Sequence, residues 1–255
     1  MNSKTFLALL ARDARVARRN LVPLLIQVLL QPLLFVFIFG SVMTRSGFLP
    51  PEYKSLLLPG IIAISMLLAG IQSVAMPLIT EFQFTREIED RLLAPIAIEW
   101  LAVEKVLAGV IQALIAGLVV LPAAWLLMGG VDLSFERPLL FGLIALQLSL
   151  VAATGGLALG CTVGATQIGM LFTLVLGPII FFGCTYYPWS ALHGFPLLQK
   201  LVLINPLVYG CEGLRAALVP QLPHLPAGAA MAALLGFDLL LLWLGLRQFR
   251  RKAIS

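Results

Sequence analysis

The charges of this 255-residue chain are spaced so that long stretches carry none. No Asp, Glu, Lys or Arg lies between Arg19 and Arg45, between Lys54 and Glu81, or between Lys105 and Asp132. The longer interval from Arg137 to Lys200 is equally bare, and the run near Pro226 to Leu246 holds a single acid, Asp238. A helix needs about 20 consecutive apolar residues to cross a bilayer, and each interval supplies them. A membrane β-barrel would need alternating polarity along each strand, and these runs do not alternate. Charged residues make up 11% of the chain, where a soluble domain carries about 25%. The expectation is an all-α polytopic membrane protein, one transmembrane domain over 1–255. Six crossings are predicted, at 21–44, 56–79, 104–128, 139–163, 167–186 and 226–246.

The distribution of Lys and Arg between loops orients such a bundle. With both termini on one side, that side holds twelve of them and the other side five, namely Arg45, Lys54, Arg137, Lys200 and Arg215. Both termini are therefore expected in the cytoplasm. The net charge of +5 follows from this bias, and no nucleic acid is needed to explain it. A cleavable signal is not expected, because the first apolar run is longer than a signal-peptide core and lacks a small-residue cleavage pattern. Cys161, Cys184 and Cys211 are too few for a disulfide framework. Cys184 and Cys211 either meet on the outer side or are two small buried residues.

Chemistry-bearing motifs are missing from the sequence. It has no G-x-x-x-x-G-K-[ST] loop, no H-E-x-x-H and no G-x-S-x-G. His193 and His224 lie far apart in sequence, so no metal site is expected. Nothing predicts a catalytic residue or a cofactor bound by this chain. An energised function would then need a partner.

Six of the twelve acids fall between Glu81 and Glu104, in a chain that otherwise avoids charge. Within that segment Phe84, Ile88 and Leu92 recur at four-residue spacing and give a short helix one apolar stripe. Glu87 and Arg91, also four apart, pair on its surface, and Pro95 ends it. Two readings are open: a helix that docks into a groove on a soluble protein, and a solvated loop. The first nineteen residues are also amphipathic. Lys4, Arg12, Arg15, Arg18 and Arg19 fall within an arc of roughly 120°, opposite Phe6, Leu7, Leu9, Leu10 and Val16. That pattern fits an interfacial helix or a plain positive anchor for the first span.

Further along, Gly156, Gly160 and Gly164 repeat at four-residue spacing on the fourth span, where small residues let another helix approach closely. Residues 187–225 are too broken for one crossing and too apolar for a water-exposed loop. They read as short helices dipping into the outer leaflet, with Tyr186, Tyr187 and Trp189 at the interface. Glu212 and Arg215 sit one turn apart there, as a local pair or as part of an exit. Asp238, an acid within the sixth span, is by default a functional candidate such as a proton relay. Its position near the cytoplasmic half favours a structural role, either protonated or bonded to another span.

These residues resemble a known family over nearly the full length. The chain is similar to the ABC-2 type permeases, the membrane subunits of bacterial ATP-binding-cassette exporters. The nearest likeness is to the branch with nodulation-factor, drug and polysaccharide exporters. It rests on the N-terminal helix, "LLLPG" opening the second span, "FTREIEDRLLAPI" after it and "INPLVYGCEGLR" before the sixth. The resemblance implies that residues 80–103 hold a coupling helix seated in a separate ATPase subunit, which binds the ATP and Mg. The matching positions are Phe84, Arg86, Glu87, Glu89, Leu93 and Pro95, with Ile88 and Arg91 on the same helix. Many relatives have Gly-Thr before the second acid, where this chain has Glu89-Asp90-Arg91. Asn205, Pro206, Tyr209, Gly213 and Arg215 match an outer re-entrant hairpin that caps the translocation path. The expected partners are the ATPase, a second permease chain, membrane lipids and an amphipathic substrate such as a lipid-linked glycan, a lipid or a drug. The location implied is the bacterial inner membrane. An ion-driven secondary transporter is the alternative, although it would ordinarily show several intramembrane charges and internal repeats.

Overall fold

A computed structural model describes residues 29–83 and 98–254, together with Val22, Pro23, Leu25 and Ile26. The N-terminal amphipathic segment 1–19 and the charged segment 84–97 lie outside the described residues. Every described element is helical, and none is a strand. In chain order they are α1 (Leu29–Arg45), α2 (Tyr53–Gln83), α3 (Ile98–Leu127), α4 (Pro138–Thr162), a broken helix α5 (168–181), α6 (Pro196–Leu201), α7 (Pro206–Leu218) and α8 (Ala227–Ile254).

Four of these, α2, α3, α4 and α8, are long and apolar enough to cross a membrane. They correspond to the second, third, fourth and sixth predicted crossings. The described part of α1 is shorter. The fifth predicted crossing is interrupted: a π-helical stretch, Phe172–Leu176, separates Ile168–Leu171 from Gly177–Phe181. α1 has a π stretch of its own at Val36–Val42. A further apolar pair, Pro196–Ile204 and Pro206–Leu218, is bent by 97° at Asn205.

α2 is the centre of the bundle. Of its most apolar window 78% is buried, against 22% in α8. Helices in lipid gain little by hiding apolar surface from one another, so close packing of small residues must hold them. The glycines show where that packing occurs. A side chain at Gly156 would meet Ile71 O at 2.8 Å, and one at Gly160 would meet the Ala75 Cα at 3.0 Å. The predicted glycine face of α4 thus packs on α2 of the same chain. Gly164 does not extend it, because α4 ends at Thr162 and is capped by Val163.

The same contacts give the directions. α2 and α4 run parallel, since Ile71 faces Gly156 and Ala75 faces Gly160. α3 is antiparallel to α2, with Gly109 on Val74 and Gly117 on Met66. α8 is parallel to α4, with Gly155 near Leu241 and Gly245 near Leu157. The ends of α1 and α3 and the starts of α2, α4 and α8 therefore share one face, the upper face. The ends of α2, α4 and α8 and the start of α3 share the opposite, lower face. Residues 84–97 connect two lower ends, Gln83 and Ile98.

Candidate functional site

Sequence reasoning singled out two regions; the described residues of the first, and the two flanks of the second, lie at opposite faces of the bundle. On the upper face the bent pair α6–α7 is set by the residues of the "INPLVYGCEGLR" stretch. Asn205 has extended backbone and caps α7: its Oδ1 accepts from Leu207 N at 3.0 Å. Its Nδ2 donates to Ile179 O at 2.7 Å, tying the bend to α5. Pro206 opens α7, where its missing N–H costs nothing. Tyr209 donates its hydroxyl back to Leu203 O at 2.9 Å, across the bend. Gly213 and Gly210 lie against Ile144 and Leu148, which makes α7 antiparallel to α4. α7 thus rises from within the bundle to the upper face, where Ser134 N donates to Leu218 O at 2.8 Å.

Arg215 and Glu212 form a local ion pair, with side chains 0% and 1% exposed. The second open reading, an exit lining, does not fit such burial. Arg215 Nη1 donates to Glu212 Oε1, Nη2 donates to Cys184 O at 2.9 Å, and Nε donates to Leu56 O at 3.4 Å. Glu212 accepts from Trp189 N and Leu225 N, each at 2.8 Å. Two buried charges are costly unless paired and well hydrogen-bonded; here they are paired, each guanidinium nitrogen donates a bond, and both Glu212 oxygens accept one. The pair joins the start of α2, the turn after α5, the Trp189 turn, α7 and the approach to α8.

The turn after α5 is unusual. Cys184 has φ +52°, a left-handed conformation that non-glycine residues seldom adopt. Next to it, a side chain at Gly60 would meet Thr185 O at 2.0 Å. The glycine of "LLLPG" is therefore the point where this turn lies against the α2 backbone. Cys161, Cys184 and Cys211 are all free and buried, so the alternative of two small buried residues holds. Tyr53 donates to Tyr186 O at 2.9 Å, Tyr187 to Phe181 O at 3.0 Å, and Trp189 Nε1 to Gln199 O at 2.9 Å. Burial, reinforced by the neighbouring Cys184 and Cys211, raises the Tyr187 phenol above its ordinary value. At the bend lies an apolar cavity of about 340 Å³ between α5 and α6, with Phe182, Leu198, Leu201 and Ile204 in its wall.

Phe84, Arg86, Glu87, Ile88, Glu89, Arg91, Leu93 and Pro95 lie outside the described residues. Their two flanks are described, and both are braced. Lys105 of α3 bridges Glu81 of α2 at 2.7 Å, with side chains 5% and 10% exposed. Gln83 Nε2 donates to Val163 O at 3.3 Å. Lys252 of α8 reaches Gly160 O at 3.4 Å and lies 4.9 Å from the centre of the Phe82 ring. The Glu81–Lys105 bridge escaped the sequence reading, although two opposite charges just inside facing helix ends were a visible signal.

Asp238 is 2% exposed, and neither carboxylate oxygen has a hydrogen-bond partner among the described residues. A bond from Asp238 to another span is thus not seen there. Among the described residues no group of three His, Cys, Asp or Glu side chains is placed to hold a metal.

The family model for the ABC-2 type transporter matches residues 4–219. Curated relatives include proteins called inner membrane transport permease YadH from Escherichia coli K12 and from Shigella flexneri. Each is 26% identical over 206 residues, 80% of this chain and 77% of the relative. No solved structure gives a significant match. The chain belongs to the ABC-2 type transporter family.

Proposed function

We propose that this member of the ABC-2 type transporter family is the permease subunit of an ATP-driven exporter in a bacterial inner membrane. The ATPase is a separate chain, and ATP and Mg belong to that partner. A second permease chain completes the path, and the cargo is amphipathic: a lipid-linked glycan, a lipid or a drug. Both termini and segment 84–97 face the cytoplasm. The chain crosses six times, with α1 and α5 as the first and fifth crossings. Residues 187–225 form an outer re-entrant hairpin, since Cys184 at its entry and Leu218 at the end of α7 both sit at the upper face.

One observation carries the coupling role. Segment 84–97 leaves and re-enters the bundle through helix ends joined by the buried Glu81–Lys105 bridge. A ligand shifts a conformational equilibrium only through a difference in binding between the two states. Force delivered to a floppy loop would be lost, whereas here it acts on α2 and α3 directly.

The test is charge reversal at Glu87 and Glu89. The double variant should insert normally and lose its ATPase on co-purification. ATPase recovered at wild-type yield refutes the coupling role.

A further inference from the structure

Beyond the transport path, α8 carries a face that no part of the described chain covers. At 100° per residue, Leu239, Leu240, Trp243, Arg247, Arg250 and Arg251 fall within an arc of about 120°. All six are exposed. The face changes character along its length. Its upper part is aliphatic, then comes the indole of Trp243, and then three guanidinium groups at the lower end. Arg247 lies 5.4 Å from the centre of the Trp243 ring. From Leu239 to Arg247 the rise is about 12 Å.

Lys252 shows by contrast what this face is for. Its ammonium points into the bundle, onto Gly160 O and the Phe82 ring. The three arginines point outward, and no carboxylate pairs with any of them among the described residues. A lone positive anchor requires only charge near the headgroups. This arrangement supplies more. A guanidinium fork matches phosphate geometry and is less strongly hydrated than an ammonium. A cation–π contact with the Trp243 ring holds one such fork near the ring, and no carboxylate among the described residues competes for its N–H groups. Trp243 stands between the aliphatic and the cationic parts of the face, the order expected of an amphipathic ring at the boundary of the hydrocarbon.

We propose that this face is a binding site for an anionic phospholipid of the inner leaflet. The phosphate is held by Arg247, Arg250 and Arg251, the glycerol level lies at Trp243, and an acyl chain runs along Leu239 and Leu240. Charge complementarity selects this occupant over a second copy of the chain, because two copies facing each other here would bring like charges together. The site lies on the side of α8 away from the central helix α2. A lipid there would brace the helix that Lys252 ties to the end of α4.

The experiment is native mass spectrometry of the purified protein after exchange into nanodiscs of mixed phosphatidylglycerol and phosphatidylcholine. Wild-type protein should retain phosphatidylglycerol preferentially, and high salt should weaken the preference. Each basic residue near a charged surface contributes about fivefold to binding. The triple variant R247Q/R250Q/R251Q should then lose roughly a hundredfold in preference, to near parity. R247K/R250K/R251K should fall between the two. An unchanged preference in the triple glutamine variant overturns the site, as does equal retention of both lipids by the wild type. Should the triple variant fail to fold, the wild-type salt titration decides, and a salt-independent preference overturns it. Leu239→Cys provides the check on occupancy: efficient cross-linking between two copies in the membrane would show that protein, not lipid, covers the face.

Discussion

Replacing Arg215 with Met should unsettle the upper face more than its position near a loop implies. The substitution keeps much of the side-chain volume and removes the charge. Three donated bonds vanish, to Glu212, Cys184 O and Leu56 O. Glu212 keeps its two backbone donors, Trp189 N and Leu225 N, but becomes a buried charge with no counter-ion. Breaking a buried pair in this way costs about 3–5 kcal/mol. The left-handed Cys184 turn also loses the brace on its carbonyl, and such a conformation costs about 1–3 kcal/mol and persists only while its surroundings hold it. For a chain of this size the thermal midpoint should fall by roughly 10 °C. Glu212→Gln alone should cost a similar amount, because it strands the guanidinium. The double variant should lose less than the sum, by about 2 kcal/mol of coupling. Thermal unfolding of the purified single and double variants in one detergent measures all three. An Arg215→Met variant within about 0.5 kcal/mol of wild type, or strictly additive singles, would show that the pair does not brace this face.

Two further outcomes are expected from packing and capping. Gly160→Leu forces a side chain into the Ala75 backbone and Leu78 Cβ, which lie 3.0–3.2 Å from where its Cβ would stand; overpacking of this kind costs about 1–3 kcal/mol, and the yield of folded protein by size-exclusion chromatography should drop, whereas Gly164→Leu should behave as wild type. Asn205→Ala removes both the cap of α7 and the bond to Ile179 O, so its thermal midpoint should fall by an amount equivalent to about 1–2 kcal/mol.

The long helices were legible because hydrocarbon leaves a bare apolar run few choices. The spacing of charges placed α2, α3, α4 and α8 to within a few residues at most ends, and α8 ran longer because its basic lower end continues the helix. The partner of the glycine face was not legible. Small residues occur on α2, α3 and α4 alike, and periodicity marks a face without naming what meets it. Glu212 and Arg215 were visible as neighbours one turn apart, but their burial depends on Leu56, Cys184, Trp189 and Leu225, which are distant in sequence. The break in α5 had one signal that was not read: Phe172–Leu176 is as apolar as its surroundings, but Pro178 removes the bond to the carbonyl of residue 174, inside the π stretch, and its ring crowds that carbonyl. The motif residues of the bend proved readable in chemical terms, since Asn205 caps, Pro206 begins a helix and Gly213 permits an approach.

α2 links the two regions that the sequence marked out. Its lower end is tied by Glu81 to Lys105 and by Gln83 to Val163. Its upper end is tied through Leu56 O to Arg215 and through Lys54 to Met128 O, the latter at 2.8 Å. α2 as a whole is 31 residues long, about 46 Å of rise, with the ties close to its two ends. If segment 84–97 docks on an ATPase, a displacement there reaches the upper face through a stiff rod rather than through loops. The rod is weakened at two places. Pro59 and Pro77 each remove one backbone hydrogen bond, and each lies within two turns of a tie. Bending at those positions would let the tied ends stay with their neighbours while the middle of α2 tilts. The glycine contacts with α3 and α4 would then have to slide or move with it. Since Gly156 and Gly160 sit at backbone distance from Ile71 and Ala75, sliding is sterically blocked. On this argument α2, α3 and α4 tilt as one body, and the change of shape falls on α1 and α5, whose π stretches interrupt the regular ladder.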